Sequence, residues 1–174
     1  MAHSKKEVSF QSINIAVLTV SDTRTSETDG SGDLLQSSVE AAGHQVKQRA
    51  IVKDDIYQIR AVLSQWIADS TVHAVLITGG TGFTSRDSTP EAVVPLFDKE
   101  IEGYGELFRA LSYEDIGTST IQSRTVAGVA NRTVIFCMPG SMNACKTAWD
   151  KIICQQLDLR HRPCNFVEMV LQKG

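Results

Sequence analysis

The most informative segment of this chain is Val75-Leu76-Ile77-Thr78-Gly79-Gly80-Thr81-Gly82. A short apolar run, typical of a buried strand, ends there in three glycines among four residues. Asp87 follows in a polar loop, and Thr89-Pro90-Glu91-Ala92 predicts a helix that Thr89 caps, with proline at the first helical position. A strand that ends in bare backbone beside a helix N-terminus predicts an anion-binding pocket, because glycine lets peptide N–H groups approach a phosphate closely.

Two common phosphate-binding motifs do not fit this segment. A P-loop places Gly-Lys-Ser or Gly-Lys-Thr at the end of its glycine-rich loop, whereas the first lysine after Gly82 is Lys99. A dinucleotide-binding fingerprint follows the first strand and places an acidic residue at the end of the second. Here the glycines follow the third predicted strand, so neither motif explains them.

The composition is that of a single globular domain spanning residues 1–174, in which we expect residues 1–11 to be flexible and residues 158–174 to form an irregular tail. With 17 basic and 20 acidic side chains the formal charge is -3, which argues against nucleic acid as the main partner. The N-terminus lacks a signal-peptide apolar core, and the apolar stretch Ile13–Val20 is too short to cross a bilayer. We therefore expect a cytoplasmic protein with no membrane partner.

The four cysteines and four histidines show no metal-binding pattern. The cysteines form no CxxC pair, and in a reducing cytosol we expect them to be small, buried or partly buried apolar residues. The histidines are scattered along the chain without the spacing of zinc ligands. The sequence therefore predicts no zinc centre and assigns no residue as a metal ligand.

Strands alternate with helices along the chain, which predicts an α/β fold with a mostly parallel central sheet. The first strand, Ile13–Val20, is almost entirely apolar, as expected for a strand buried on both faces. The helix that begins at Asp54 or Asp55 has apolar residues at helical spacing from Ile56 to Ile67. Further strands are predicted at 44–52, 72–78, 125–130 and 133–138, and further helices from a cap at Ser31, over 89–97, over 103–111 and after Ser141.

Polar residues follow several of the predicted strands at the point where each strand ends. Ser21, Asp54, the segment 78–87 and Pro139-Gly140-Ser141 should therefore meet at one edge of the sheet, where ligands bind in such folds. Carboxylates from Asp54 and Asp87 would repel a phosphate unless a cation lay between them, and magnesium is the natural mediator. The alternatives are that Asp54 caps a helix and that Asp87 forms a turn.

Two further segments contain candidate ligand-binding residues. Ser119, Ser123 and Arg124 lie in a polar segment that either binds an anionic substrate or is a solvated loop. Pro139-Gly140-Ser141 repeats the pattern of strand, glycine and helix, with Ser141 as the helix cap. Two anion sites at one edge suit a ligand with two charged ends, or two ligands.

Five motifs occur in this chain: SGDLL at 31–35, LITGGTG at 76–82, RDSTPEA at 86–92, QSRTVAGV at 122–129 and MPGS at 138–141. Together they resemble the MoaB/MogA family of molybdenum cofactor biosynthesis proteins, and most closely its bacterial MoaB branch. The gephyrin G domain is similar. The match runs from about Ile13 to about Leu157, and several separate motifs in the right order make it specific.

The resemblance implies a three-layer α/β/α fold, trimers or hexamers built from trimers, and a site for molybdopterin, a pterin that carries a dithiolene and a phosphate. It also implies a magnesium-dependent adenylylation, in which the terminal phosphate of molybdopterin attacks the α-phosphorus of ATP and pyrophosphate leaves. Asp87 matches the family's catalytic acid, and Asp54 matches a second functional acid. The residues expected to bind the ligands are Ser21, Gly79, Gly80, Thr81, Gly82, Ser119, Ser123, Pro139, Gly140 and Ser141.

Other functions remain open at this point. Met142-Asn143 follows the second glycine, where active adenylyltransferases of the family usually continue with proline or lysine. A molybdopterin-binding or carrier protein without turnover is therefore the alternative, and an oligomeric scaffold is a third hypothesis. Other proteins of the cofactor pathway are possible partners. For contact between subunits we consider the segment 94–111, whose apolar residues exceed what one sheet-packing helix needs.

Overall fold

The computed structural model describes residues 8–173, which form one six-stranded sheet covered by helices. The strands are β1 (Asn14–Val20), β2 (Gln45–Val52), β3 (Ala74–Thr78), β4 (Lys99–Glu100), β5 (Ala127–Ala130) and β6 (Thr133–Met138). Their order is β2-β1-β3-β6-β5-β4, and the first four of these run parallel. Strand β5 pairs antiparallel with both β6 and β4. The prediction of a mostly parallel α/β sheet is confirmed.

Four helices connect these strands: α1 (Gly30–Ala41), α2 (Ile56–Ala68), α3 (Thr89–Val93) and α4 (Glu102–Ile116). Three more follow the last strand: α5 (Met142–Ala148), α6 (Cys154–Gln156) and α7 (Val167–Leu171). The helix predicted over 89–97 is short and continues as a 3-10 turn, because Pro95 lacks the N–H that an α-helix needs there. A π-helical turn at Trp149–Ile153 joins α5 to α6. Within the described residues, no helix is both long and apolar enough to span a membrane.

Both faces of the sheet are covered, so the fold has three layers. Along β1, Ile15 and Val17 pack on the face that carries α1, α4 and α5, whereas Ala16 and Leu18 pack on the face that carries α2 and α3. These four side chains are fully buried. A strand buried on both faces must be apolar at every position, which explains its sequence and confirms the predicted α/β/α architecture.

Two of the predicted helix caps are wrong. Helix α1 is capped by Asp29 rather than Ser31, because the Asp29 carboxylate accepts a backbone N–H of the first turn at 3.0 Å. Helix α2 is capped by Asp55, one of the two predicted acids, and not by its neighbour. Thr89 is already the first residue of α3, and its hydroxyl donates to the carbonyl of Gly79 at 2.8 Å instead.

The N-terminal segment is tied to the domain where the structure describes it. Residues 1–11 were expected to be flexible, and residues 1–7 lie outside the described part of the chain. The ring of Phe10 packs against the ring of His44, with 5.1 Å between centroids.

The C-terminal segment 158–174 contains regular structure that its sequence did not suggest. Helix α7 buries Val167 and Val170 in the core, and Phe166 packs at its start. The helix is only five residues long, so its apolar residues show too few turns to reveal a period.

Most apolar residues in the segment 94–111 complete the core, which corrects the expectation that they form a subunit surface. Tyr104 and Phe108 are fully buried, and Leu111 packs against them. Leu107 is the member that remains exposed, at 47%. The exposed apolar surface instead continues along α4 and the turn after it, through Tyr113, Ile116 and Ile121.

Candidate functional site

A cavity of about 520 Å³ lies where β1, β3 and β6 end, and most predicted site residues gather around it. Of the residues considered as ligand-binding or catalytic, Asp54, Ser119 and Arg124 do not line it. The lining residues are Thr19, Val20, Ser21, Arg24, Thr78, Gly79, Gly80, Thr81, Gly82, Asp87, Gln122, Ser123, Pro139, Gly140 and Ser141.

The glycines of residues 79–82, which we call the first glycine turn, have no room for a Cβ atom. Gly79 and Gly80 have φ angles of 101° and 66°, which favour glycine. A Cβ on Gly79 would lie 2.2 Å from the carbonyl oxygen of Val20, and one on Gly80 would lie 2.3 Å from Thr89 Oγ1. The fold itself therefore requires these glycines, whatever ligand binds.

Two residues donate hydrogen bonds to the four backbone carbonyl oxygens of residues 79–82, taken in chain order. Thr89 donates its hydroxyl to the first carbonyl at 2.8 Å and its N–H to the second at 2.9 Å. Arg124 donates its N–H to the third at 3.1 Å and its Nε to the fourth at 2.7 Å. Within residues 8–173, the N–H groups of Gly80 and Thr81 donate to no protein acceptor. Both residues line the cavity, so these unpaired N–H groups support the anion-binding prediction better than the short helix α3 does.

Residues 139–141, the second glycine turn, lie directly against the first. A Cβ on Gly140 would lie 3.4 Å from the Cα of Gly79, and the N–H of Gly79 donates to the carbonyl of Met138 at 3.0 Å. Ser141 caps α5 as predicted and accepts the N–H of Ala144 at 3.2 Å. The two turns therefore form adjacent parts of one cavity.

Asp87 is the acidic side chain of the cavity wall, at least among residues 8–173. Its Oδ2 accepts the N–H of Thr84 at 2.9 Å and the Thr84 hydroxyl at 2.6 Å. Partial burial opposes ionisation of Asp87, but hydrogen bonds from Thr84 and from the N–H of Gly82 outweigh it and hold the pKa below its ordinary value. Asp87 therefore both shapes its turn and presents a charged carboxylate to the cavity.

Asp54 lies behind the first glycine turn and is only 7% exposed. Its Oδ1 accepts the N–H of Ser88 at 2.9 Å and also the Ser88 hydroxyl. Its Oδ2 would lie 2.6 Å from a Cβ on Gly80. Both acids were expected beside the ligand; Asp87 lines the cavity, whereas Asp54 does not and supports the turn from behind.

The segment that contains Ser119, Ser123 and Arg124 contributes only partly to the site. Ser123 lines the cavity, whereas Ser119 is exposed in a 3-10 turn outside it. The Arg124 guanidinium donates to the carbonyl of Asp87 at 2.9 Å and pairs with Glu91. Arg124 therefore fastens the loop after β3 and is not free to bind a substrate.

An ion pair also ties this loop to the loop after β1. Arg86 binds both carboxylate oxygens of Asp22, at 2.7 and 2.8 Å. Its hydrogen bond lowers the pKa of Asp22 to about 2. Asp22 further accepts the N–H of Asp54 at 3.1 Å. Exposed pairs of this kind contribute little to stability, so the pair acts mainly to link the two loops.

Sequence reasoning missed Arg24, a basic side chain in the cavity wall. Arg24 donates to Ser31 Oγ at 2.8 Å and to the carbonyl of Gly140 at 3.2 Å. It lies in an irregular polar loop, where neither periodicity nor a motif marks it. Its position three residues after Ser21, at the end of the first strand, is the signal that would have found it.

Among residues 8–173, the carboxylate that this cavity offers to a metal ion is that of Asp87. The described residues contain no group of three or more His, Cys, Asp or Glu side chains that could hold a metal ion. Magnesium, however, usually keeps water and phosphate ligands and takes only one or two carboxylates. The charged carboxylate of Asp87, beside free N–H groups, meets that requirement.

Comparison with known proteins places this fold and site in a family. Residues 16–159 match a family model described as a probable molybdopterin binding domain. Over 163 residues the chain is 59% identical to molybdenum cofactor biosynthesis protein B of Escherichia coli (strain K12). This alignment covers 94% of this chain and 96% of that protein.

Solved structures agree with this match. A crystal structure of molybdenum cofactor biosynthesis protein B has 47% sequence identity and a TM-score of 0.82, covering 84% of this chain and 92% of that one. A structure of MogA has 28% identity and a TM-score of 0.71, covering 78% of this chain and 89% of that one. The chain therefore belongs to the MoaB/MogA family of molybdenum cofactor biosynthesis proteins.

Proposed function

We propose that this protein binds molybdopterin and transfers the adenylyl group of ATP to the terminal phosphate of the pterin. One observation carries the proposal: Gly80 and Thr81, whose N–H groups have no protein acceptor among residues 8–173, line the same cavity as the ionised carboxylate of Asp87. N–H groups suit phosphate oxygens, and a carboxylate beside them suits a divalent cation bound to those oxygens. The family supplies the identity of the substrate.

The cavity has the size of an ordinary small-molecule site. Its volume of about 520 Å³ lies within the range of roughly 300–1,000 Å³ that is usual for small-molecule sites. An oligomeric scaffold would need neither this cavity nor unpaired N–H groups inside it. The volume and the donors therefore favour a protein that binds a small phosphorylated ligand.

In the proposed reaction a phosphate oxygen of molybdopterin forms a bond to the α-phosphorus of ATP. The bond from that phosphorus to the bridging oxygen breaks, and pyrophosphate leaves with the oxygen. Magnesium, when bound, neutralises charge on the phosphates. The N–H groups of the first glycine turn would orient phosphate oxygens, and the Asp87 carboxylate would hold the cation that those phosphates carry. Asp54 is a positioning residue, since it holds Ser88 and backs Gly80.

A molybdopterin-binding or carrier protein without turnover is the second candidate function. The observation that favours it is the burial of Asp54, which leaves Asp87 as the acid in the cavity wall. N–H donors and one carboxylate are sufficient to bind a phosphorylated pterin. The two functions differ only in whether pyrophosphate and adenylylated pterin are formed.

The test is incubation of the purified protein with molybdopterin, ATP and magnesium, followed by measurement of both products. Asp87→Asn removes the charge and keeps the size of the side chain. We expect turnover to fall by up to about a thousandfold, the scale of losing one preorganised electrostatic group, while most of the molybdopterin affinity remains. Asp150→Asn, which changes an exposed acid outside the cavity, is the matched control and should leave turnover unchanged.

Each outcome separates the candidates. Near-normal turnover in a folded Asp87→Asn variant contradicts the role of Asp87. Molybdopterin binding by the unmodified protein without either product supports the carrier function. Failure to bind molybdopterin contradicts both functions.

A further inference from the structure

Two side chains of opposite charge line the cavity, and they belong to opposite faces of the sheet. Arg24 binds Ser31 of α1 and the carbonyl of Gly140 just before α5, and both helices cover the first face. Asp87 lies just before α3, which covers the second face. One side of the cavity is therefore positive and the other is negative.

The carboxylate beside Arg24 is shared with a second arginine. Nη1 of Arg24 lies 3.5 Å from Oδ1 of Asp29, a fully buried carboxylate. Arg49 binds the same carboxylate more closely, at 2.9 Å, and the hydroxyl of Thr19 donates to it at 2.7 Å. On its outer side Arg49 also pairs with the exposed Asp33. Two guanidinium groups therefore share one buried carboxylate, and Arg24 is the one that reaches the cavity.

The Arg24 side chain is held in position and still has donors to spare. Its guanidinium makes hydrogen bonds to Ser31 Oγ and to the carbonyl of Gly140, and its backbone N–H donates to Ser21 Oγ at 3.1 Å. A guanidinium carries five N–H donors in a rigid planar fork, so the remaining donors can bind an oxyanion. Since the fork is already ordered, little conformational entropy is lost when the anion binds.

We propose that Arg24 and the second glycine turn form a subsite for a phosphate group that binds without a metal. The Asp87 side repels a bare phosphate and accepts one only when a divalent cation neutralises it. The assignment of substrates rests on the proposed function: the phosphate of molybdopterin binds at Arg24, and the triphosphate of ATP binds at Asp87. Both subsites lie in one cavity, which would bring the two phosphates together.

The test uses inorganic pyrophosphate as the probe, in EDTA, with binding measured by isothermal titration calorimetry. Arg24→Gln should weaken this metal-free binding by about tenfold or more, the scale of losing charge-assisted hydrogen bonds to an anion. Arg160→Gln removes the same charge from an exposed ion pair with Asp158, outside the cavity, and should bind pyrophosphate normally. Asp87→Asn should not weaken binding in EDTA, but it should abolish any increase in affinity caused by magnesium.

An independent measurement on the unmodified protein covers the case in which Arg24→Gln fails to fold. Pyrophosphate in EDTA should slow the modification of Arg24 by phenylglyoxal, followed by mass spectrometry. An unchanged modification rate overturns the proposal, as does metal-free affinity within twofold of normal in a folded Arg24→Gln variant. If Arg24 binds pyrophosphate but no adenylylated pterin is formed, the subsite stands and the proposed function fails.

Discussion

Replacing Gly80 by alanine should lower the free energy of unfolding even when no ligand is bound. With φ at 66°, an alanine at this position costs about 1–2 kcal/mol. The added methyl group would lie 2.3 Å from Thr89 Oγ1 and 2.6 Å from Asp54 Oδ2, and both of these side chains are buried. Relieving the overlap breaks at least one buried hydrogen bond, which costs about 1–3 kcal/mol more. The expected loss is therefore about 2–5 kcal/mol, a large fraction of the stability of an ordinary domain.

Urea unfolding followed by tryptophan fluorescence measures this loss. Trp66 and Trp149 are buried on opposite faces of the sheet, so their fluorescence reports on both halves of the core. Gly103→Ala is the matched control, since a Cβ on Gly103 meets nothing within 4 Å and the residue lies in a helix. That variant should be as stable as the unmodified protein, or slightly more stable. Equal unfolding free energies for Gly80→Ala and Gly103→Ala would falsify the argument that Asp54 and Thr89 fix the turn.

Two further predictions concern pH and assembly. His44 and His73 each accept a backbone N–H from the start of β1 at Nδ1, at 3.3 and 2.9 Å. Burial lowers the pKa of both histidines. The charge of Asp158 opposes this shift at His44, and the charge of Lys173 reinforces it at His73. Because the unfolded chain then binds more protons, the free energy of unfolding should be constant above about pH 7.5 and fall as the pH drops below about 6.5, and a flat profile would contradict this. We also propose that the chain assembles through the exposed apolar surface of α4 and the turn after it, which includes Leu107. Light scattering at micromolar concentration should then report a trimer or hexamer. A persistent 19.0 kDa monomer refutes this proposal.

The features that the sequence predicted correctly are those that depend on local signals. The apolar run of β3 and the glycines after it identify a buried strand and a turn, and both occur where they were expected. Alternating strands and helices then place the carboxyl ends of the parallel strands at one edge, so Ser21 and Ser141 reach the cavity as predicted. Strand β4 escaped prediction because two exposed residues show no alternation.

The features that were missed depend on the direction in which a side chain points. Arg24 and Arg124 are both basic residues in polar segments, yet one lines the cavity and the other fastens a loop. Ser31 was expected to cap α1, but Asp29 takes that role and frees the Ser31 hydroxyl to donate to the carbonyl of Gly140 at 2.6 Å. These choices are set by contacts between segments far apart in the chain, which no local pattern contains.

Asp54 and Asp87 have similar sequence contexts, since each follows a strand and precedes a helix, but their substitution would have different consequences. Asp54 holds Ser88 and lies against Gly80, so changing it would displace both the first glycine turn and the loop that carries Asp87. A loss of turnover in an Asp54 variant would therefore be expected whether or not that carboxylate acts on a ligand. Asp87 lines the cavity, and in Asp87→Asn the remaining side-chain oxygen can still accept the N–H and the hydroxyl of Thr84, so this variant should disturb the loop much less. For this reason Asp87, and not the pair, distinguishes an adenylyltransferase from a carrier.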